Sequence, residues 1–454
     1  MEEHRYAENI ILPEAVRKIL KKLAQAGFEG YAVGGCVRDR LLGKEPNDWD
    51  ITTSASPEEV KALFRRTVDT GLQHGTVTVL SGEEQFEVTT FRIDGEYEDG
   101  RHPKEVTFTA NLEEDLARRD FTINAMAYNE KRGLVDCFGG LADLQAGIIR
   151  CVGDAKKRFG EDALRMLRAL RFSAQLGYRI EDETFSAIRE LAPTIEKVSA
   201  ERIREELVKL LVSDHPYTLK KAWETGLTRV FLPEFDRAME TPQRHIHHCY
   251  DVGEHLLHSL EGVPAEPDLR IAMLLHDIGK SETITVDAEG ITHFFGHPEV
   301  SARMTEEILR RLKFDNETIK TVTTLVLYHD YGNGMPVTEK GVRKAVSRIG
   351  AELFPKYLLV RRADLLAQSD YRRAEKLEAL RLWEETFREV TERGDCTSLK
   401  SLAVSGRDLM AEGLQPGKHL GEVLQRLLEE VLEDPGRNTR DYLLEKAREW
   451  EAKA

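Results

Sequence analysis

Residues 34–50 read GGCVRDRLLGKEPNDWD, and how this stretch starts and ends decides what the chain around it must be. The apolar run Tyr31–Val33 leads into Gly34 and Gly35, which predicts a strand, a tight turn and then a helix, VRDRLLG. A glycine pair at a helix start lets a phosphate approach backbone N–H groups; read alone, it is equally a plain turn. At the other end, Asp48-Trp49-Asp50 puts carboxylates at i and i+2, which share one face of a strand. Two like charges on an otherwise apolar strand are costly unless a cation sits between them. Hard oxygen ligands, a triphosphate and Mg2+ meet that need, one ion of a pair activating an attacking hydroxyl. An isolated D-x-D is more often an exposed strand end. Glu87, between Phe86 and Val88 in QFEVTTFR, is the third carboxylate candidate.

The surrounding chain has 454 residues, about three typical domain lengths, which predicts roughly two to four domains. With 65 basic against 80 acidic residues the net charge is −15, which excludes a uniformly basic nucleic-acid coat but not local basic grooves. The 41% hydrophobic content can bury a core, so disorder is excluded as the main state. Cys36, Cys137, Cys151, Cys249 and Cys396 form no C-x-x-C pair and read as reduced thiols of a cytosol-like compartment. The acidic start, MEEHRYAENI, lacks the plan of a signal peptide, and no apolar run approaches the roughly 18 residues of a membrane helix. A soluble, cytoplasmic, multidomain protein is expected.

There is no repeat and no low-complexity tract. The first 150 or so residues alternate an amphipathic helix, PEAVRKILKKLAQAG, with strand-like runs at Tyr31–Val33, Trp49–Thr52, Gly75–Leu80, Gln85–Arg92 and Leu134–Cys137. From about residue 153 the pattern turns helical, with breaks near Gly153, His215–Pro216, Leu232–Pro233, Gly262–Pro267 and Gly394–Thr397. The expected architecture is an α/β head followed by an all-α remainder.

Six stretches then follow one another in order: G-G-x-V-R-D-x-L-L-G, D-x-D, HGTVTV, FEVTTFR, EEDLARRDFTINAMAY and EDALRMLRALRF. This series resembles the class II CCA-adding enzymes and bacterial poly(A) polymerases of the polymerase-β nucleotidyltransferase superfamily, over roughly residues 25–215. The resemblance implies that Asp48 and Asp50 hold catalytic Mg2+. It further implies that Gly35 and Arg38 contact the nucleotide phosphates and that Arg119 lies in the nucleotide site. Residues 1–152 are then the nucleotidyltransferase head, 153–215 a helical neck that selects nucleotides, 216–390 a helical body, and 391–454 a tail.

Read as one helix at about 100° per residue, EDALRMLRALRF puts Glu161, Asp162, Arg165 and Arg168 within an arc of about 120°, opposite Leu164, Leu167 and Leu170. For an unplaced helix this means a solvated face with ion pairs. The chemistry also suits base choice. Cytosine and adenine both offer an exocyclic amine beside a ring-nitrogen acceptor, so a carboxylate and a guanidinium match both. Uracil and guanine present the reverse pattern and would leave both groups unpaired. The resemblance implies that Asp162 and Arg165 are this protein template, with Arg168 and Arg171 also lining the nucleotide site. Choosing between C and A needs a change of pocket size, and residues 92–108, RIDGEYEDGRHPKEVTF, read as a mobile loop. Relatives that add only C have a shortened loop here; this chain keeps it, which permits addition of the terminal A and leaves full CCA and A-only addition both open.

A different chemistry lies at 245–364. RHIHHCYDVGEHLLHSL, LRIAMLLHDIGK, FFGHPEVSA, LVLYHD and VRRADLLAQ supply His255, His276-Asp277, His297, His329 and Asp364. His and Asp together suit Mn, Fe, Ni, Co or Zn. The set resembles the HD phosphohydrolase superfamily, which implies an HD domain at about 245–370 with His255, His276, Asp277 and Asp364 as core ligands of a divalent transition metal. His297 and His329 match the extra ligands of two-metal members, and His248 rivals His255 for the first position. The expected reactions are phosphatase or 2′,3′-cyclic phosphodiesterase activity, trimming a damaged RNA 3′ end; the bland reading is a helical body whose site has decayed.

In the tail, VSGRDLMAEGLQPGKHLG (404–421) reads as turns that start a helix; its Gly-Lys is no Walker loop. The resemblance extends here to the segment where the outer arm of tRNA docks, and Lys156–Phe172, with six basic and two acidic residues, nets +4 toward RNA. The expected function is addition of CMP and AMP from CTP and ATP to a tRNA 3′ end. Its rivals are a poly(A) polymerase or A-only enzyme, a phosphohydrolase with a vestigial head, and a non-enzymatic RNA-binding protein.

Overall fold

Helix α1 (Glu14–Gln25) starts behind Pro13 with an acid in its first turn and buries Val16, Ile19, Leu20 and Leu23, one stripe at helical spacing. Leu20 and Leu23 press on β1 (Gly30–Val33) at Gly30, where a Cβ would meet both within 3.1 Å. The computed structural model that places these elements describes residues 10–71, 75–95 and 106–452. The chain divides into two units, Met1–Pro233 and Glu234–Ala454. Among the described residues, no helix is long and apolar enough to cross a membrane.

In the first unit β1 runs into α2 (Gly35–Leu41) through Gly34. The other strands are β2 (Ile51–Thr53), β3 (Thr67–Gly71), β4 (Thr76–Ser81), β5 (Glu84–Thr90), β6 (Arg92–Asp94), β7 (Val106–Phe108), β8 (Met126–Asn129) and β9 (Gly133–Asp136). Seven of them form one sheet in the order β3-β4-β5-β2-β1-β8-β9, antiparallel throughout except β2 beside β5. Tyr31, Val33, Phe91 and Ala127 pack against Leu112 and Leu116 of α3 (Leu112–Ala117). The α/β head is as expected; β3 and β8 were not anticipated.

Three expectations need correction. The strand expected over Trp49–Thr52 begins only at Ile51. Asp50 still accepts a backbone hydrogen bond from Val33 (3.0 Å), but β1 turns away at Gly34 (φ 81°), so residues 48 and 49 lie beyond the paired register and the D-x-D lies on the loop entering β2. The single helix expected for EDALRMLRALRF is two, α4 (Ala155–Glu161) and α5 (Leu164–Leu176). Asp162 stands between them in extended backbone, and its carboxylate accepts the Leu164 N–H at 3.0 Å, the local competition that makes Asp a poor helix interior. The stretch 92–108, expected as loop throughout, has paired ends, with Arg92, Ile93 and Asp94 opposite Phe108, Thr107 and Val106; residues 96–105 lie outside the described ones.

The rest of the chain is largely helical but not wholly so. Arg179–Ile180 pairs in parallel with Ile148–Ile149, and Thr285–Val286 pairs with Thr292–His293. In the first unit α6 (Ala200–Leu211) packs on α5. In the second unit α7 (Val252–Leu260), α8 (Pro267–Leu275), α9 (His297–Arg311), α10 (Asn316–Tyr328), α11 (Phe354–Ala367) and α12 (Arg373–Glu392) surround a buried polar centre. Further along, α13 (Lys418–Glu433) and α14 (Arg440–Glu451) close a separate apolar cluster around Val423, Leu427, Val431 and Leu443.

Candidate functional site

The register of the head sheet brings its acids together. β2 pairs with β5 so that Ile51 faces Val88, which sets Asp50 and Glu87 side by side one residue earlier. Asp50 is half-buried, Asp48 and Glu87 are exposed, and Trp49 is buried behind them. Asp50, Glu87, Arg118 and Arg119 line one cavity of about 190 Å³. Burial, with the charges of Asp48 and Glu87, pushes the Asp50 carboxyl up to about 6, against the pull of Arg119. An acid held that far from its ordinary range, in a cavity with a second carboxylate, fits a cation site. Gly34 lets Arg119 approach: a Cβ at that left-handed position would lie 3.2 Å from its Nη1. The Arg119 Nε is buried without a hydrogen-bond partner.

Behind the cavity stands a set of arginines, each fixed by an acid or amide that the sequence did not single out. Asp115, fully buried, takes Arg118 (2.7 Å) and Arg119 (3.3 Å). Asn124 takes Arg38 (2.7 Å), and Asp120 takes Arg168 (2.6 Å). Burial alone would raise Asp120, but the Arg168 guanidinium holds it well below the usual carboxylate range. Glu206 on α6 takes Arg171 and lies 3.7 Å from Arg168. Burial lowers the Arg171 guanidinium from its ordinary value. The two residues expected to read the base are not on one helical face. Arg165 on α5 bonds Glu161 (2.6 Å) and the carbonyls of Arg158 and Arg118, while Asp162, before α5, bonds Arg202 (2.7 Å). The expected arc of Glu161, Asp162, Arg165 and Arg168 is therefore replaced by a kinked corner. Gly35 opens α2 beside Arg38. The sequence shows Asp115 and Asp120 flanking the Arg118-Arg119 pair, but not that these acids are buried.

The second unit holds a denser set. His255 lies within α7, His276 and His329 end α8 and α10, His297 begins α9, and Asp364 lies within α11. His255 Nε2 is 3.1 Å from His276 Nε2, 3.0 Å from Asp364 and 3.5 Å from Asp277 Oδ2. The other oxygen, Asp277 Oδ1, is 3.2 Å from His297 Nε2 and 3.4 Å from His329 Nε2. Each histidine turns its Nδ1 to a backbone carbonyl: Ala367 for His255, Met273 for His276, Phe294 for His297 and Val326 for His329. With Nδ1 donating, every Nε2 presents a lone pair inward. Four lone pairs and two carboxylates facing one another need cations, and Asp277 Oδ1, buried without a hydrogen-bond donor, is placed between two groups of ligands. Lys280, not anticipated, bonds Asp277 Oδ2 at 2.6 Å and Gln243 at 3.0 Å. Burial alone would raise Asp277, but Lys280 and His276 hold it well below the carboxylate range. His248 stands outside both ligand groups, its ring 5.7 Å from that of His255, on the wall of a cavity of about 830 Å³ that Asp277, His297, His329 and Asp364 also line. Gly279 permits the close fit of α9, since a Cβ there would lie 2.5 Å from the Ser301 nitrogen.

Three family models match this chain: the poly A polymerase head domain at residues 30–150, the "Probable RNA and SrmB- binding site of polymerase A" at 177–239, and tRNA nucleotidyltransferase domain 2 at 282–447. The CCA-adding enzyme of Limosilactobacillus reuteri is 36% identical over 96% of each chain. That of Leuconostoc mesenteroides is 59% identical over a stretch covering 43% of this chain and 48% of that protein. Among solved structures, the Bacillus stearothermophilus CCA-adding enzyme in complex with CTP is 30% identical with a TM-score of 0.73, covering 98% of this chain and all of that one.

Proposed function

The chain belongs to the CCA-adding enzymes, a family of nucleotidyltransferases, and from that membership we propose that it adds CMP and AMP from CTP and ATP, without a template, to the 3′ end of tRNA. The observation that carries this reading for the site is that Asp50 and Glu87 share a cavity with Arg118 and Arg119, the pairing of acids and cations that phosphoryl transfer from a triphosphate needs. Asp48, Asp50 and Glu87 are the residues to hold a divalent cation, Mg2+ being the natural choice for such oxygens. When bound, the ion supplies Lewis acidity to the α-phosphate and to the attacking hydroxyl. The RNA 3′ hydroxyl gives up its proton to solvent as its oxygen forms a bond to the α-phosphorus, the bond to the bridging oxygen breaks, and pyrophosphate leaves. Arg38, Arg119, Arg168 and Arg171 receive the phosphates, with Gly35 admitting them to the start of α2. Asp162 accepts from the exocyclic amine of C or A and Arg165 donates to the ring nitrogen; Arg202 fixes the direction of the Asp162 carboxylate. The tail formed by α13 and α14 docks tRNA. The test offers tRNA ending before CCA, tRNA ending in CC, and an unrelated RNA, each with CTP, ATP or both. Completion of both tRNAs is expected. Long A tracts on the unrelated RNA would identify a poly(A) polymerase, and extension of only the CC-ended tRNA an A-only enzyme.

We further propose that the second unit is a metal-dependent phosphohydrolase acting on phosphomonoesters or 2′,3′-cyclic phosphates at RNA 3′ ends. The inward convergence of four Nε2 atoms on Asp277 and Asp364 supports it. His255, His276, Asp277 and Asp364 would hold one divalent transition metal, and Asp277, His297 and His329 a second. Such ions activate water and polarise the phosphoryl group, while Lys280 orients Asp277. Hydrolysis of these esters with Mn2+, Ni2+ or Co2+ tests the reading; inactivity with each of these metals would mark a decayed site.

A further inference from the structure

Phe172 stands where three arginines of the first unit meet. The guanidinium carbon of Arg171 lies 3.8 Å from the centre of its ring, that of Arg38 5.1 Å, and that of Arg168 5.5 Å. The ring is buried, and Phe121 packs edge-on against it at 5.8 Å. Three like charges around one ring repel one another, and carboxylates offset only part of this: Asp39 on Arg38, Asp120 on Arg168, and Glu206 on both Arg168 and Arg171. Every carboxylate added to hold an arginine also repels an incoming triphosphate. An aromatic face attracts cations through its quadrupole and carries no net charge, so it can order guanidinium groups without weakening their pull on an anion.

We propose that Phe172 is a positioning residue of the nucleotide site: its ring gathers Arg38, Arg168 and Arg171 into the arrangement that receives the triphosphate. The inference rests on the reading of those arginines as nucleotide ligands. A leucine of similar bulk would fill the space but leave the three cations to spread toward their separate acids. The ring's electrostatics, and not only its volume, is what the site uses.

Replacing Phe172 in the full chain by phenylalanines carrying one, two, three and five fluorines tests this, because each fluorine weakens the negative ring face with little change in size. KM for CTP and for ATP is expected to rise stepwise with fluorination, by roughly tenfold across the series. Over the same series kcat should change by less than about twofold and the melting temperature by only a few degrees. Phe172→Leu should show the same rise in KM, and Phe172→Tyr should restore it. A flat KM across the fluorinated series, while Arg38→Ala raises KM, would overturn the role of the ring. If Arg38→Ala itself leaves KM unchanged, the nucleotide-site reading fails first and takes this inference with it.

Discussion

In the first unit the acids assigned to a cation stand where the loop entering β2 meets β5: Asp48 and Glu87 are exposed, Asp50 is half-buried, and among the described residues their ligand atoms do not gather within the 4.8 Å that marks the other set. In the second unit four histidines and two aspartates gather in two groups that share Asp277, each within that distance and all buried but the half-buried His297 and Asp364, with every Nδ1 already spoken for. The first arrangement leaves room for phosphate oxygens to complete a coordination shell, as a Mg2+ site that works on a triphosphate requires. The second supplies nearly all its ligands from side chains, as suits an ion that stays with the protein. On the proposed assignments, the cation of the first unit would come with the substrate and that of the second would stay with the protein.

The sharpest way to break this comparison is to remove a head acid. Asp50→Ala is expected to lower nucleotide addition by at least about three orders of magnitude, since the cation supplies both the nucleophile and charge stabilisation. It should leave the fold intact, because the hydrogen bond that ties Asp50 to β1 runs from Val33 to its backbone carbonyl, which alanine keeps, and the metal content of the second unit unchanged. Asp48→Ala should behave alike. Near-normal turnover in either variant would remove the assignment.

The converse change is His276→Ala with Asp277→Ala. Transition metal retained after dialysis should fall to near zero, and any phosphohydrolase activity with it, while CMP and AMP incorporation stays within about threefold of wild type. His297→Ala is a milder companion that removes a ligand from only the second group. If the double variant folds by its melting curve and yet loses nucleotide addition, the two chemistries are not separable.

The sequence made these two sites legible to different degrees, for reasons visible in the residues. His255, His276, Asp277, His297, His329 and Asp364 sit at or near helix ends or on buried helix faces, where an ionisable side chain in an apolar run stands out. The D-x-D stood out in the same way, although the strand expected to hold it starts only after it, at Ile51, because β1 turns off at Gly34. The base-reading corner was misread because helical periodicity treats Asp162 as one more polar residue, whereas its carboxylate caps the next helix and interrupts the pattern. Asp115, Asp120 and Glu206 escaped notice because a buried acid looks like a surface acid until its arginine is placed against it. Strands of two residues, such as Arg179–Ile180, carry too little alternation to be seen.

A smaller effect is expected at the corner proposed to read the base. Asp162→Ala removes the acceptor proposed for the exocyclic amine and frees Arg202 from its 2.7 Å partner. A charge-assisted hydrogen bond is worth roughly 1.5–3 kcal/mol, so discrimination of CTP and ATP against UTP and GTP should fall by about one to two powers of ten. Incorporation of each nucleotide separately on a tRNA lacking its 3′ end measures this. Glu161→Ala should shift base choice less, since Glu161 acts through Arg165 and Arg158. Full selectivity in Asp162→Ala would mean that another group reads the base.

The smallest effect sharpens the comparison most, because it concerns the charge cluster itself. Without a cation, the Asp50 carboxyl is pushed up to about 6, first by burial and then by Asp48 and Glu87. A carboxyl whose pKa is higher folded than unfolded binds its proton more tightly in the folded state. Relative to acid pH, the folded chain therefore loses stability as pH rises from about 4 to 6, and the penalty is complete above 6. Moving a carboxyl that far costs roughly 3 kcal/mol, an upper bound for a side chain that keeps some solvent contact. Mg2+ relieves this penalty only where Asp50 is ionised, so its stabilising effect should be larger at about pH 8 than at about pH 5, with a midpoint near 6. Asp50→Asn carries no charge there; it should melt a few degrees higher than wild type at about pH 8 without divalent ions, while being inactive. The difference between wild type and Asp50→Asn, measured by melting with and without Mg2+ across this range, cancels whatever the second unit contributes. An equal Mg2+ response at both ends of the range, or the same response in both proteins, would show that the cluster does not hold the cation through Asp50.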